Sequence, residues 1–210
     1  MAQPALEHVR LAGEKALLRP IRRADATVAY PELAGNQAIL RWLVWGGPAG
    51  VGDLEDRFAS WRTGAPERGG LLGAKGGFDY QLAIVDRADD ALAGALTLRF
   101  GGHPGSGDLG YWIATGKQGR GLATEAVRLA THLAFGHLEA RTLFGWVFVG
   151  NEASRRVLER NGFRLEHTAR GKRRPGHGRV DEWYLAQTRW DWEAGDAGFV
   201  PLEAEVRLEP

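Results

Sequence analysis

Cysteine is absent from all 210 residues of the chain. Its absence excludes a disulfide framework, a thiolate metal site and a cysteine nucleophile. The sequence also lacks an excess of either charge, since 27 Lys and Arg residues stand against 26 Asp and Glu residues. Overall charge therefore gives no reason to expect a nucleic-acid or membrane partner.

Long apolar runs are missing as well, and none reaches the roughly eighteen residues that a membrane span requires. The first ten residues carry charge and have no apolar core, unlike a signal peptide. The histidines show no metal-ligand spacing, so no metal is expected. A mass of 22.9 kDa suits one domain with a single core. We therefore expect a cytoplasmic, single-domain protein.

What the sequence does have is a glycine-rich segment at residues 116–126, GKQGRGLATEA. The apolar residues 109–114 before it predict a strand, and apolar residues at helical spacing after it predict a helix. Glycines let backbone N–H groups approach a ligand closely, and a helix N-terminus favours negative charge. Lys117 and Arg120 flank the turn and add positive potential. The segment therefore predicts a phosphate or pyrophosphate site, unless it only turns the chain.

Two common phosphate-binding loops do not fit this segment. A nucleotide-triphosphate loop requires a Gly-Lys-Ser/Thr triplet, which is missing. The dinucleotide fingerprint Gly-x-Gly-x-x-Gly has Thr124 in place of its third glycine. It also requires an acidic residue on the following strand, and the predicted strand at residues 142–149 has none. The glycine-rich segment thus indicates a phosphate ligand of another kind.

A second motif, NEASRRVLERNGF at residues 151–163, follows that strand. Asn151 is a natural helix N-cap, and Gly162 suits the left-handed residue that ends a short helix. Together, Gln-x-x-Gly-x-Ala at residues 118–123 and Asn-x-x-Ser-x-x-x-Leu-Glu-x-x-Gly-Phe at residues 151–163 resemble the GNAT superfamily of acetyl-CoA-dependent N-acyltransferases. The sequence is most similar to the branch that acetylates the N-termini of ribosomal proteins, whose further features recur at residues 17–20, 42–45, 110–113 and 178–185.

The resemblance covers residues 9–192 and implies an α+β (mixed α/β) fold. It implies a single domain with a strongly twisted mixed sheet of about seven strands flanked by helices, whose central strands splay apart to form the acyl-CoA cleft. Residues 193–210 show no clear periodicity, so we expect a C-terminal tail that is either frayed or taken up by a partner subunit. A homodimer is left open.

The N-terminal half of the sequence predicts three helices. The first is capped by Asp25 and interrupted by Pro31, because proline disfavours continuation of a helix. Asn36 and Asp53 predict the caps of the other two. Residues 62–77 are rich in glycine and predict a mobile connection.

The resemblance implies acetyl-CoA as co-substrate. Its pyrophosphate is expected on the amides of the glycine-rich segment, and its pantetheine arm beside the preceding strand, as an added strand would lie. An amide near Trp112 or Ile113 is expected to bond the acetyl oxygen. The residues expected to bind the cofactor are Tyr111, Trp112, Ile113, Ala114, Gln118, Gly119, Arg120, Gly121, Leu122, Ala123, Thr124 and Asn151.

Amide formation requires a neutral amine, stabilisation of an oxyanion and protonation of the departing thiolate. Many members of the superfamily carry a tyrosine acid where this sequence has Leu158. The ribosomal branch uses a serine on the same helix, and Ser154 matches it; the alternative is that Ser154 caps an unpaired N–H in the first helical turn. Asp108, at the head of the predicted strand, is the candidate base or else a solvated residue. Asp181 and Glu182 are the alternative bases.

Trp42 and Trp45, on a turn between two predicted helices, are the candidates for an acceptor pocket. The first hypothesis is acetyl transfer to a primary amine at a protein or peptide N-terminus. The second is a small-molecule acceptor such as an antibiotic or a polyamine, and the third is a non-catalytic acyl-CoA sensor. Residues 170–179 carry five basic side chains, which form either a solvated hairpin tip or an anchor for an anion. No RNA-binding signature accompanies them, so direct nucleic-acid binding is not expected.

Overall fold

The structure, a computed structural model, describes residues 5–61, 78–101, 103–174, 177–195 and 199–209. A short 3-10 helix, Thr115–Lys117, precedes the glycines of the glycine-rich segment. In chain order the other described elements are β1 (Ala5–Ala12), β2 (Ala16–Pro20), α1 (Asp25–Leu33), α2 (Gln37–Leu40), α3 (Val51–Trp61), β3 (Phe78–Asp86), β4 (Ala91–Phe100), β5 (Ser106–Ile113), α4 (Leu122–Gly136), β6 (Thr142–Phe148), α5 (Glu152–Arg160), β7 (Arg164–Arg174), β8 (Gly178–Thr188), α6 (Arg189–Gly195) and β9 (Glu203–Glu209).

The described strands form one sheet in the order β7-β8-β6-β5-β4-β3-β2-β1-β9. Its neighbouring strands pair antiparallel, except β5 and β6, which are parallel. The predicted mixed sheet flanked by helices is therefore confirmed. The predicted count of about seven strands was wrong, because the sheet has nine strands in the described part of the chain.

The chain ends account for part of this difference. Residues 203–209, expected to be frayed or held by a partner subunit, pair as β9 with β1 of the same chain, His8 opposite Arg207. Val206 of β9 packs against the core. The sequence EAEVRLE alternates apolar and charged residues, as a half-buried strand does. The alternation covers only seven residues after an irregular segment, which is too short to predict a strand.

Apolar clusters cover both faces of the sheet. Successive residues of a strand point to opposite faces, so Leu18 and Ile84 join one cluster while Leu17 and Val85 join the other. The first cluster takes most of its helical part from α4, together with Leu158 of α5 and Trp192 of α6, and the second takes its helical part from α1, α2 and α3. The residues that α4 buries recur at helical spacing and include Leu122, Ala126, Leu129, Ala130 and Leu133.

The predicted helices are present, with corrected boundaries. Asn36 caps α2 as predicted, because its Oδ1 accepts from the Ala38 N–H at 3.1 Å. The prediction that Pro31 interrupts α1 was wrong: the helix continues to Leu33, which is buried. A helix tolerates proline where burial of its neighbours offsets the lost hydrogen bond. Asp25 and Asp53 lie inside the first turns of α1 and α3 rather than at their caps. The predicted mobile connection at 62–77 lies outside the described residues.

The central strands diverge after a short parallel contact. Pairing of β5 with β6 runs from Ser106 opposite Thr142 to Leu109 opposite Gly145 and then stops. Beyond that point β5 continues along β4 to Ile113, and β6 continues along β8. Each strand thus turns an unpaired edge towards the gap between them. This is the predicted splay.

The fold has a tight point beside this gap, at Gly94 of β4. A Cβ on Gly94 would lie 2.1 Å from the Trp112 carbonyl oxygen, a backbone atom that cannot move without displacing β5. We expect Gly94→Ala to lower the free energy of unfolding by about 1–3 kcal/mol, measured by denaturant titration. Gly136→Ala is the matched control, because that position meets no atom within 4 Å and alanine favours helices. A Gly94→Ala protein as stable as the wild type would contradict the close approach of β4 and β5.

Candidate active site

A cleft of about 820 Å³ opens between the diverging strands. Its walls come from β4 and β5 on one side, from β6 and α5 on the other, and from the turn after α2. The glycine-rich segment lies at its mouth. The two motifs that the sequence singles out, residues 116–126 and 151–163, therefore meet at one cavity.

The glycine-rich segment presents a row of free backbone amides. Gly119 and Gly121 have φ of 75° and 86°, in the left-handed region that favours glycine, and Gly121 is the N-cap of α4. Among the residues described, the N–H groups of residues 119–124 have no acceptor. These amides and the start of a long helix give the predicted anion site its physical basis.

Lys117 and Arg120 do not supply the free charge predicted for this site. Lys117 Nζ bonds Asp86 Oδ2 at 2.9 Å and also bonds Asp89, while Arg120 Nη1 lies 2.7 Å from Asp86 Oδ2. Asp86 is buried at the end of β3. Burial alone would raise the pKa of Asp86, but the hydrogen bonds from Lys117 and Ala88 outweigh it and hold that pKa below its ordinary value. The two basic residues thus fasten the segment to the β3–β4 turn.

Lys15 is a cation at this anion site that neither sequence motif predicts. Its Nζ lies 3.3 Å from the point where a Cβ on Gly121 would stand. The Glu125 carboxylate on the first turn of α4 accepts the N–H groups of Glu14 at 2.9 Å and Lys15 at 2.6 Å, and that of Ala16. Lys15 has no ion-pair partner within the described ranges. No sequence signal marks it, because the contact joins positions more than a hundred residues apart.

The free edge of β5 forms the wall of the cleft beside this anion site. Tyr111, Trp112 and Ile113 all line the cleft. The Gln118 side chain donates to the Ile113 carbonyl at 3.0 Å, which ties the turn to the strand. The Ala114 N–H donates to the Ala93 carbonyl at 2.8 Å. The Ala114 N–H is therefore already paired and is not available to donate to the pantetheine arm.

Ser154 lies in the first turn of α5 and faces β5. Asn151 caps the helix, since its Oδ1 accepts from the Ser154 N–H at 3.3 Å. The Ser154 Oγ lies 2.9 Å from the Tyr111 Oη. The alternative role of Ser154 as a helix cap is thus filled by Asn151. Leu158, one turn further on, is buried in the core, and a Cβ on Gly145 would lie 2.5 Å from its Cδ1.

Asp108 is neither free nor solvated. It is 3% exposed, and its Oδ1 accepts from the Arg99 Nε at 2.6 Å. Both residues line the cleft. The alternative of a solvated residue at the start of the strand is wrong, because Asp108 is buried and paired. A role as base requires it to accept a proton while Arg99 remains bound.

A second buried ion pair lies across the cleft. Arg174 bonds Glu182 through Nε at 2.5 Å and Nη2 at 2.6 Å, and the Tyr184 hydroxyl donates to Glu182 at 3.2 Å. Glu182 is buried and lines the cleft. Arg174 is therefore held in a buried ion pair. In this it differs from the other basic residues of the segment 170–179, which are Arg170, Lys172, Arg173 and Arg179. Asp181 accepts from the Gly171 N–H at 2.8 Å and so stabilises the β7–β8 hairpin.

Trp42 and Trp45 both line the cleft, as expected of an acceptor pocket. The Trp42 ring reaches the opposite lip, where a Cβ on Gly150 would lie 3.8 Å from it. The His177 Nε2 lies 2.6 Å from the Leu43 carbonyl oxygen. The turn after α2 thus joins the end of the β7–β8 hairpin. Residues 175 and 176 of the predicted hairpin turn lie outside the described residues.

Two features are not found in the described residues. Within residues 5–61, 78–101, 103–174, 177–195 and 199–209, no three histidine or carboxylate side chains come close enough to hold a metal ion. Of the helices in that part of the chain, none is both long and apolar enough to cross a membrane.

A cleft between splayed strands, with a helix N-terminus at its mouth, defines a class of proteins that bind an anionic co-substrate through backbone groups. A family model described as the acetyltransferase (GNAT) domain matches residues 15–164. The chain belongs to the GNAT acetyltransferase family, which confirms the resemblance of its motifs. Members of this family use acetyl-CoA. The free amides of residues 119–124 and the open edge of β5 fit that molecule.

Individual relatives agree with this assignment. The protein named Putative ribosomal N-acetyltransferase YdaF, from Bacillus subtilis, is 37% identical over 86 residues, which are 41% of this chain and 47% of that protein. The chain spans about half the length of the curated relatives that it matches.

Solved structures share the fold. Mycobacterium smegmatis RimJ in complex with CoA-disulfide gives a TM-score of 0.73 at 22% identity, covering 92% of this chain and 97% of that one. The spermidine N-acetyltransferase of Vibrio cholerae, in complex with CoA and spermine, gives 0.69 at 18% identity, covering 84% and 97%.

Because Asp86 is paired, the free energy of unfolding of the protein depends on pH. A carboxylate whose pKa is lowered by folding adds stability that is fully present above its unfolded pKa. That stability is lost as the pH falls through the folded pKa, which for Asp86 lies below 3.8. We expect Asp86→Asn to lower the melting temperature by roughly 3–8 °C at pH 7. The gap from wild type should shrink below about pH 4.

Melting curves from pH 7 to pH 2 measure this effect. Asp56→Asn is the control, because Asp56 is exposed and weakly paired, and its curve should follow the wild type. A gap between Asp86→Asn and wild type that stays constant down to pH 2 would contradict the role given to Asp86.

Proposed function

We propose that this protein transfers an acetyl group from acetyl-CoA to the α-amine of a protein or peptide N-terminus. When bound, acetyl-CoA supplies an activated acetyl thioester. The proposal is supported by membership of the GNAT family and by the name of YdaF, which refers to a ribosomal N-acetyltransferase. The spermidine enzyme with the same fold makes a polyamine the main competing acceptor.

The neutralised carboxylates of the cleft favour the peptide N-terminus. A polyamine carries several positive charges and is bound best by several free carboxylates. Both buried carboxylates of the cleft, Asp108 and Glu182, are already bonded to arginines. Arg41, Arg156 and Arg160 also line the cleft and outnumber its remaining carboxylate, the exposed Glu152. The cleft therefore suits an acceptor with a single amine, and this observation carries the proposal.

Aromatic surfaces suit the remainder of such an acceptor. Trp42, Trp45, Trp146 and Phe148 all line the cleft. Aromatic rings bury apolar area and orient polar groups at their edges. They offer contacts to the first side chains of a peptide, next to the position where its amine reacts.

The side chains of this cleft divide the chemistry between them. The amides of residues 119–124 bind phosphate oxygens, and the edge of β5 orients the reactants beside α5. Ser154 Oγ donates a proton to the departing thiolate and regains one, through water, from the proton that the amine releases. Asp108, held by Arg99, is the nearest carboxylate for the proton that the amine releases, either directly or through water. The non-catalytic alternative requires Ser154 and Asp108 to be idle.

A panel of acceptors tests the proposal. Acetyl-CoA turnover is measured with short peptides with a free N-terminus, the same peptides with a blocked N-terminus, spermine and an aminoglycoside. We expect kcat/KM for the best free peptide to exceed that for spermine by about tenfold or more, which corresponds to roughly 1.4 kcal/mol, and no turnover with blocked peptides. A preference for spermine would overturn the acceptor assignment. Binding of CoA without transfer to any amine would favour the non-catalytic alternative.

Lys15 is expected to strengthen the phosphate site, since its ammonium lies at Gly121 without another partner among the residues described. Lys15→Ala should weaken CoA binding by roughly three- to twentyfold, the loss of one exposed charged contact. Isothermal titration measures the affinity for CoA and for pantetheine, which lacks the phosphates and should bind both proteins equally. Lys172→Ala, on the exposed strand β7, is the matched control. Equal CoA affinity of Lys15→Ala and wild type would remove Lys15 from the site.

A further inference from the structure

We infer that Tyr111 is a positioning residue for Ser154: its phenol donates a hydrogen bond to Ser154 Oγ and leaves the serine proton directed into the cleft. The inference rests on the proposed function, in which Ser154 holds the proton for the leaving group. Neither motif contains this pair, because Tyr111 lies on β5 and Ser154 on α5.

The geometry restricts the partners of both hydroxyls. Tyr111 Oη lies 2.9 Å from Ser154 Oγ and 3.3 Å from the Ser154 carbonyl oxygen. In the described part of the chain, Ser154 Oγ contacts no other hydrogen-bonding atom. A serine hydroxyl has one proton to donate and can accept two hydrogen bonds. Once the phenol occupies one acceptor site, the serine proton is free for a ligand in the cleft.

The direction that we assign to this hydrogen bond requires a protonated phenol. Tyr111 packs against the core, and burial raises the pKa of its phenol, an effect that the bond to Ser154 only partly offsets. The phenol therefore stays protonated at neutral pH and has a proton to donate. Of its two acceptors, Ser154 Oγ is the nearer by 0.4 Å.

A helix would otherwise use the serine proton itself. Serine hydroxyls in helices commonly donate to the carbonyl three or four residues earlier, which here means Asn151 or Gly150. That bond would point the proton along the helix and away from the cleft. The hydrogen bond from the Tyr111 phenol favours the Ser154 rotamer that directs this proton into the cleft. Leu158 cannot take over the role of the Tyr111 phenol, because leucine has no hydroxyl and this side chain is buried against Gly145.

A double-mutant cycle tests the inference. Ser154→Ala should lower kcat by about ten- to a thousandfold, whereas Tyr111→Phe should lower it by roughly three- to tenfold, the value of one positioning hydrogen bond. The double variant should match Ser154→Ala alone, because the phenol acts only through the serine. CoA affinity, from titration calorimetry, should stay at the wild-type value. Tyr30→Phe removes a hydroxyl on α1, outside the cleft lining, and should leave kcat unchanged.

A crystal structure of Tyr111→Phe gives a readout that does not depend on activity. We expect Ser154 Oγ to turn towards the carbonyl of Gly150 or Asn151. Folded Tyr111→Phe with wild-type kcat, an unchanged serine rotamer, or losses that multiply in the double variant would each overturn the inference. If Tyr111→Phe loses activity while Ser154→Ala keeps the wild-type kcat, both the inference and the catalytic role of Ser154 fail. If only Ser154→Ala loses activity, the proposed function stands and the inference alone fails.

Discussion

The divergence of β5 and β6 is the constraint on which the site depends. Their parallel pairing ends at Leu109 and Gly145, and each strand is followed in the chain by a helix, α4 or α5. In a parallel pair, helices that follow the strands begin at the same edge of the sheet. The free amides of residues 119–124 and the Ser154 hydroxyl must therefore face one gap. Because β4 and β8 satisfy the outer edges of the two strands, the gap exposes backbone without exposing the core.

Local chemistry explains how much of the site could be predicted from the sequence. The left-handed Gly121 and the capping Asn151 are set by their immediate neighbours, so short motifs predicted the anion site and the start of α5. Lys15 at Gly121 and Tyr111 at Ser154 are contacts between distant segments, and no local pattern encodes them. The strand β9 was missed for a related reason: a weak alternation becomes a strand only when β1 is present to pair with it.

Charge was the least predictable property of the cleft. A sequence shows which cations lie close to a motif along the chain but not which carboxylates fold against them. Lys117 is held by Asp86, and Arg174 by Glu182, so two residues that look available to a ligand are occupied. Breaking such buried pairs leaves an uncompensated charge. They therefore fix the shape of the cleft more than they raise its affinity for anions, and that task falls to backbone amides.

The two halves of the cleft consequently have different origins. The half at the glycine-rich segment combines residues 111–124 with Asn151 and Lys15, and the family model that matches residues 15–164 includes all of them. The half proposed for the acceptor is closed by β7 and β8, where Arg174, Glu182 and His177 lie beyond that match. Arg174 bonds Glu182, and His177 contacts the Leu43 carbonyl. Similarity within the family therefore specifies acetyl-CoA far better than it specifies the amine. Under the proposed function, the choice of acceptor then depends on contacts such as that of His177 with Leu43, which join distant segments of this chain.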